Sequence, residues 1–152
     1  MGQQQLLLLV LSTVIVGLAT VAGIQAFSEN QAQASQDALV QRGTSIASDI
    51  QGLAGKPSQM GGIDLNSDGV ASGSEIVNRL GYESKNDGEG PTGDNVVAAQ
   101  GAGSDAGCTI ADPSGDGSAT ITCEASDAPQ DAEITVTPAN SEPISTSFSS
   151  SP

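Results

Sequence analysis

Between Leu6 and Phe27 the chain runs for 22 residues without a charge (LLLLVLSTVIVGLATVAGIQAF). At about 1.5 Å per residue, a helix of that length crosses the roughly 30 Å hydrocarbon layer of a bilayer. The run has no polar face, so it must be covered all round, by lipid or by other helices. From Ser28 to Ala54 the pattern changes. This stretch lacks proline, is rich in Ala, Gln and Ser, and repeats its larger apolar residues at helical spacing, Leu39, Ile46, Ile50 and Leu53, with Gly43 in the gap. Nothing between the halves interrupts a helix. The pattern predicts one continuous helix from about Gln3 to Leu53, about 75 Å long, apolar all round at first and amphipathic afterwards. Gly17 and Gly23 are its weak points, each costing about 1 kcal/mol relative to Ala.

Beyond Ala54 the spacing shortens toward two. Cys108-Thr-Ile-Ala-Asp, a turn around Ser114-Gly-Asp-Gly117, and Ser-Ala-Thr-Ile-Thr-Cys123 read as a β-hairpin. Setting Ile110 opposite Ile121 places Cys108 directly opposite Cys123, so the register itself predicts a cross-strand disulfide. AEITVTP and PISTSFSS alternate apolar residues with Thr or Ser and predict two further strands. Residues 83 to 107 are rich in Gly and Asp and read as a surface loop with at most a short strand at Val96 and Val97. The expected fold is α+β: residues 1–54 form a transmembrane or filament-core helix and amphipathic spine, and residues 55–152 form a small antiparallel β head.

Charge narrows the partners. The head carries 15 of the 18 acidic groups against Lys56, Arg79 and Lys85, a formal charge of −12 out of the total −14. Nucleic acid and anionic lipid both require a basic face, so neither is an expected partner; cations are. A disulfide places the head outside the cytoplasm.

The strongest chemical motif is Asp64-Leu-Asn66-Ser-Asp68-Gly69-Val70-Ala-Ser72-Gly-Ser-Glu75, which fits the calcium-loop pattern D-x-[DN]-x-[DN]-G-x₅-E at each required position. Asp64, Asn66 and Asp68 supply side-chain oxygens, Gly69 takes the sharp turn, and Val70 offers its carbonyl. Ser72 acts directly or through water, and Glu75 closes the site with both oxygens. Oxygen donors without His or thiolate favour Ca²⁺. Ser74 to Leu80 reads as an exit helix, whereas the approach KPSQMGGI, with Pro57 and paired glycines, predicts no entering helix. The stretch therefore resembles a dockerin-type half of an EF-hand, which implies a metal loop. The competing reading is an Asx-rich turn that caps a helix. Asp112-Pro-Ser-Gly-Asp116-Gly begins similarly but has Cys123 where the closing Glu belongs, and reads as turn chemistry.

Simpler explanations of the apolar segment compete with one another. A cleaved secretory signal carries Lys or Arg ahead of an apolar run of about 7–15 residues, whereas the first basic side chain here is Arg42. N-myristoylation wants Ser or Thr where Leu6 stands. A plain membrane anchor fits the span itself. The very short polar start, the apolar helix directly after it, the amphipathic second half and a small β-rich head with one disulfide together resemble the type IV pilin superfamily, which includes pseudopilins and archaeal relatives. That resemblance implies a lollipop layout in which apolar helices bundle into a filament core through residues such as Leu6, Val10, Val14, Leu18 and Val21. The family's glutamate ahead of the apolar run is replaced by Gln5, and the helix proline and aromatic start of many pilins are absent. Cleavage after Gly2, or none, is the expected processing.

Catalysis finds little support. The chain has no His, no thiol once Cys108 and Cys123 pair, no G-x-S-x-G and no phosphate loop. The sequence is thus read as a structural subunit of an extracellular filament. Its partners are copies of itself, it sits in the inner membrane before assembly, and its head is stabilised by the disulfide and Ca²⁺. The alternative is a membrane-anchored calcium-binding surface protein or a minor pseudopilin.

Overall fold

The computed structural model describes residues 2–66 and 71–150. Among them the chain forms α1 (Gly2–Ala54), a 3₁₀ turn (Ser58–Met60), α2 (Gly73–Leu80) and five strands: β1 (Val96–Ala98), β2 (Gly107–Ile110), β3 (Ala119–Glu124), β4 (Asp131–Val136) and β5 (Ile144–Ser149). The class is α+β, as the patterning required. Two compact units are present, Met1–Ala32 and Gln33–Pro152.

The first unit is helix alone. Its large apolar side chains are all exposed, from Leu6 through Phe27. Thr13 and Thr20 return their hydroxyls to the carbonyls of Val10 (2.8 Å) and Val16 (2.5 Å). These two polar groups are therefore satisfied within the helix itself. By length and composition this helix is apolar enough to cross a membrane.

In the second unit the strands form one antiparallel meander, each paired with its chain neighbour in the order β1-β2-β3-β4-β5. The β2–β3 ladder sets Cys108 against Cys123 and Ile110 against Ile121, the register expected from alternation, and the two cysteines are bonded. Cys108, Ile110, Ile121, Cys123, Ile134 and Val136 share one buried core with Leu39, Ile46, Ile50 and Leu53 of α1 and with Ile76 and Val77 of α2. The amphipathic stripe of α1 is thus the lid of the sheet, and the element order is pilin-like: an apolar then amphipathic helix, followed by a small β head with a disulfide.

Gly43 packs directly against β3 and β4. A Cβ built there would clash with Ile134 Cδ1 and lie 3.0 Å from Cys123 Sγ. The first contact is with the far end of a flexible side chain, and the second is pinned by the disulfide. Gly43→Ala is therefore expected to be near neutral, its crowding offset by about 1 kcal/mol of helix propensity. Gly43→Leu has no such escape and is expected to lose about 3 kcal/mol through overpacking. Urea unfolding of the full chain in neutral detergent, followed by far-UV circular dichroism, measures both.

Candidate functional site

The loop between the 3₁₀ turn and α2 is held at both ends by the β2–β3 turn. At its start, the Asn66 N–H donates to Asp64 Oδ1 (2.8 Å), forming an Asx turn. The buried Leu65 turns its carbonyl to accept from Gly117 N–H (3.0 Å). Gly117 has φ of 85°, and a Cβ on it would strike Asn66 Oδ1. Glycine at that position is what lets the hairpin turn approach the loop. At the other end, Gly73 N–H donates to Asp112 Oδ1 (2.7 Å). A side chain at Gly73 would run into the Ile110 carbonyl.

Of the six expected metal-ligating residues, Asp68 and Val70 lie outside the described residues. Asp64 and Glu75 come together, lining one cavity of about 290 Å³ with Arg79. Asn66 lies beside Asp64, facing Gly117. Ser72 is the N-cap of α2: its Oγ accepts from Glu75 N–H (3.3 Å) and shares a hydrogen bond with Ser74 Oγ (2.9 Å). Glu75 Oε1 accepts from Arg79 Nε (3.0 Å) and NH2 (2.6 Å), while Arg79 NH1 donates to the Gly62 carbonyl (2.8 Å). Among the described residues no group of three or more His, Cys, Asp or Glu is placed to hold a metal. The donors of the loop that are described, Asp64, Asn66, Ser72 and Glu75, are all oxygens and fit a hard cation.

Sequence reasoning missed two participants. Arg79 stands at i+4 from Glu75, a spacing that signals an ion pair on any helix, and it also ties α2 to the loop entrance. Asp112 caps α2 from 39 residues away, and no local pattern marks that. Asp116, in the same turn, has its carboxyl held below the usual range by hydrogen bonds from Ser118.

A second polar group straps the outer side of α1. Tyr82 donates its hydroxyl to Asp49, and the Arg42 guanidinium lies 4.9 Å from the centre of the Tyr82 ring. Burial, and then the bond to Asp49, push the phenol above its ordinary pKa.

Leu6, Val10, Val14, Leu18 and Val21, the residues expected to mediate assembly, are 52–67% exposed, which is unusual for such side chains unless something else covers them. The disulfide sulfurs, by contrast, are fully enclosed in the core. No protein-family model, curated protein or solved structure matches the chain.

Proposed function

We propose that the protein is a structural subunit of an extracellular, pilus-like filament whose core is built from the Leu6–Phe27 helices of many copies. The observation that carries this reading is the coupling of two unlike helix halves. One is apolar on every side and uncovered; the other is committed along one stripe to its own small sheet. A subunit of this kind buries its stem among other stems and leaves an acidic head on the outside. The head belongs outside the cytoplasm because it carries a disulfide. Before assembly the stem resides in the membrane.

Negative-stain microscopy and mass spectrometry of material sheared from cells test the reading. Helical filaments containing this chain are the expected result. Recovery solely as detergent-extracted monomers would replace it with the other reading, a membrane-anchored surface protein.

In the same reading, the loop from Asp64 to Glu75 binds one Ca²⁺ that braces the head. Asp64 and Glu75 already share a cavity, and the loop is fixed at both ends on the hairpin turn. Binding through Glu75 requires its carboxylate to leave Arg79, an exposed pair worth at most about 1 kcal/mol. An affinity of about 10⁻⁴ to 10⁻³ M, typical of extracellular modules, is expected. Calcium at 100 times its dissociation constant then adds about 2.7 kcal/mol, a rise in melting temperature on the order of 10 °C. Asp64→Ala or Glu75→Ala is expected to remove the rise. Arg79→Ala, which frees Glu75, is expected to lower the calcium needed for half-saturation. Unchanged melting with and without chelator, together with no heat of binding at millimolar calcium, would reduce the loop to a helix-capping turn.

A further inference from the structure

The outer face of the sheet holds a second acidic site, at the opposite end of the β2–β3 hairpin from the loop. Asp131 opens β4, and alternation places its side chain on the face away from Ala132, Ile134 and Val136. The register that pairs Cys123 with Ala132 sets Glu124 directly across from Asp131 on that outer face. Like charges in that relation repel one another. Asp131 is nonetheless only 7% exposed, and among the described residues its carboxylate takes part in no hydrogen bond or ion pair.

Its oxygens are not sealed off. Among the described residues the one fully enclosed side-chain polar atom without a partner is Arg42 Nε. Asp131 instead opens on a cavity of about 670 Å³ that Glu89, Asp105 and Glu124 also line. Hydrogen bonds from Ser126, side chain and backbone, hold the Asp105 carboxyl below the usual range, with Ser126 N–H at 2.6 Å from Oδ2. The Lys85 charge also draws the Asp105 carboxyl down, but its ammonium forms no ion pair with a carboxylate among the described residues. Its ammonium donates to the carbonyls of Glu89, Pro91 (3.1 Å) and Asp105 (3.5 Å). Four acidic residues therefore line one cavity, and Asp131, little exposed and without a partner among the described residues, opens into it.

The geometry points to a binding site for one hydrated divalent cation of the Mg²⁺ class in this cavity, held between Glu124 and Asp131. No three carboxylates among the described residues are placed to strip and ligate a bare ion. Mg²⁺ keeps most of its waters and is bound through one or two carboxylates. A shell of six waters, at about 30 Å³ each, fits the cavity. Asp105 and Glu89 accept hydrogen bonds from that shell, and the cation removes the repulsion across the β3–β4 ladder. The inference stands whether or not the chain forms filaments.

The test uses the full chain in neutral detergent with Asp64→Ala in place, so that the loop does not compete. Mn²⁺ is titrated in 0.5 M NaCl, which screens diffuse attraction to an acidic surface, and free Mn²⁺ is read by electron paramagnetic resonance. One saturable equivalent, displaced by Mg²⁺, is expected. Adding Asp131→Asn is expected to weaken it at least tenfold, and Glu124→Gln, at a less buried position, gives the same loss should the first variant fail to fold. In chelator, Asp131→Asn is expected to melt at or above its parent, because a repulsion has gone; in Mg²⁺ only the parent gains. Absence of saturable Mn²⁺ binding, or equal affinity with Glu124→Gln, overturns the proposal.

Discussion

Replacing Val14 or Leu18 by Asp is expected to abolish filaments while leaving the head folded. Both residues lie in the middle of the apolar stem, and both are more than half exposed in the single chain. In an assembled core that exposure is taken up by neighbouring stems. A carboxylate there loses its water without gaining a partner, at several kcal/mol per subunit, and the penalty recurs in every copy. Gln41→Asp, an exposed position on the amphipathic half of α1, adds the same charge outside the stem and is expected to leave assembly intact. Sedimentation and negative-stain microscopy read the outcome, and circular dichroism reports the head. Filaments of normal length from Val14→Asp would place the stem outside any solvent-excluded core.

The second large effect is expected from the disulfide. Cys108 and Cys123 close a loop with a sequence separation of 15, and a cross-link of that span is worth about 3 kcal/mol through the unfolded state. Cys108→Ala with Cys123→Ala is expected to lose at least that much, since two fully buried sulfurs also leave a void beside Gly43 and Ile134. The loss corresponds to a fall in melting temperature of about 12–24 °C for a domain of roughly 100 residues. Burial has a further consequence. Dithiothreitol reaches the bond only in opened molecules, so reduction without denaturant is expected to be slow, and its rate to rise in Gly43→Leu.

Much of this architecture was legible because local patterns and global packing agree. The period of Leu39, Ile46, Ile50 and Leu53 marks both a helix and the face that meets the sheet. The Cys108 and Cys123 positions, with Ile110 and Ile121 between them, admit one hairpin register, and that register is observed. Strands β1, β4 and β5 also fall where alternation put them, within a residue or two. What stayed hidden depends on groups distant in sequence. The capping of Gly73 by Asp112 and the approach of Gly117 to Asn66 are fixed by how a turn docks on a loop. The i+4 spacing of Arg79 from Glu75 is a local signal the sequence reading passed over, and its reach to the Gly62 carbonyl has no local signal at all. Asp131 reads as a polar residue at a strand start, and nothing near it announces that it will line one cavity with the 89–91 and 124–126 segments.

The strict neighbour-to-neighbour order of the sheet also bears on how the head is made. Among the described residues no strand pairs with one from the far end of the chain, as it would in a Greek key, so the sheet can grow by successive hairpin closures whose loops are short. The β2–β3 hairpin carries both cysteines, so oxidation can follow as soon as residue 124 has emerged, before β4 and β5 exist in folded form. The association that spans the longest stretch of chain within the second unit is the docking of the α1 stripe, made first and used last. In the proposed reading, a head that crosses the membrane ahead of its stem can therefore close its sheet strand by strand, with the amphipathic half of α1 serving as the surface on which the finished sheet comes to rest.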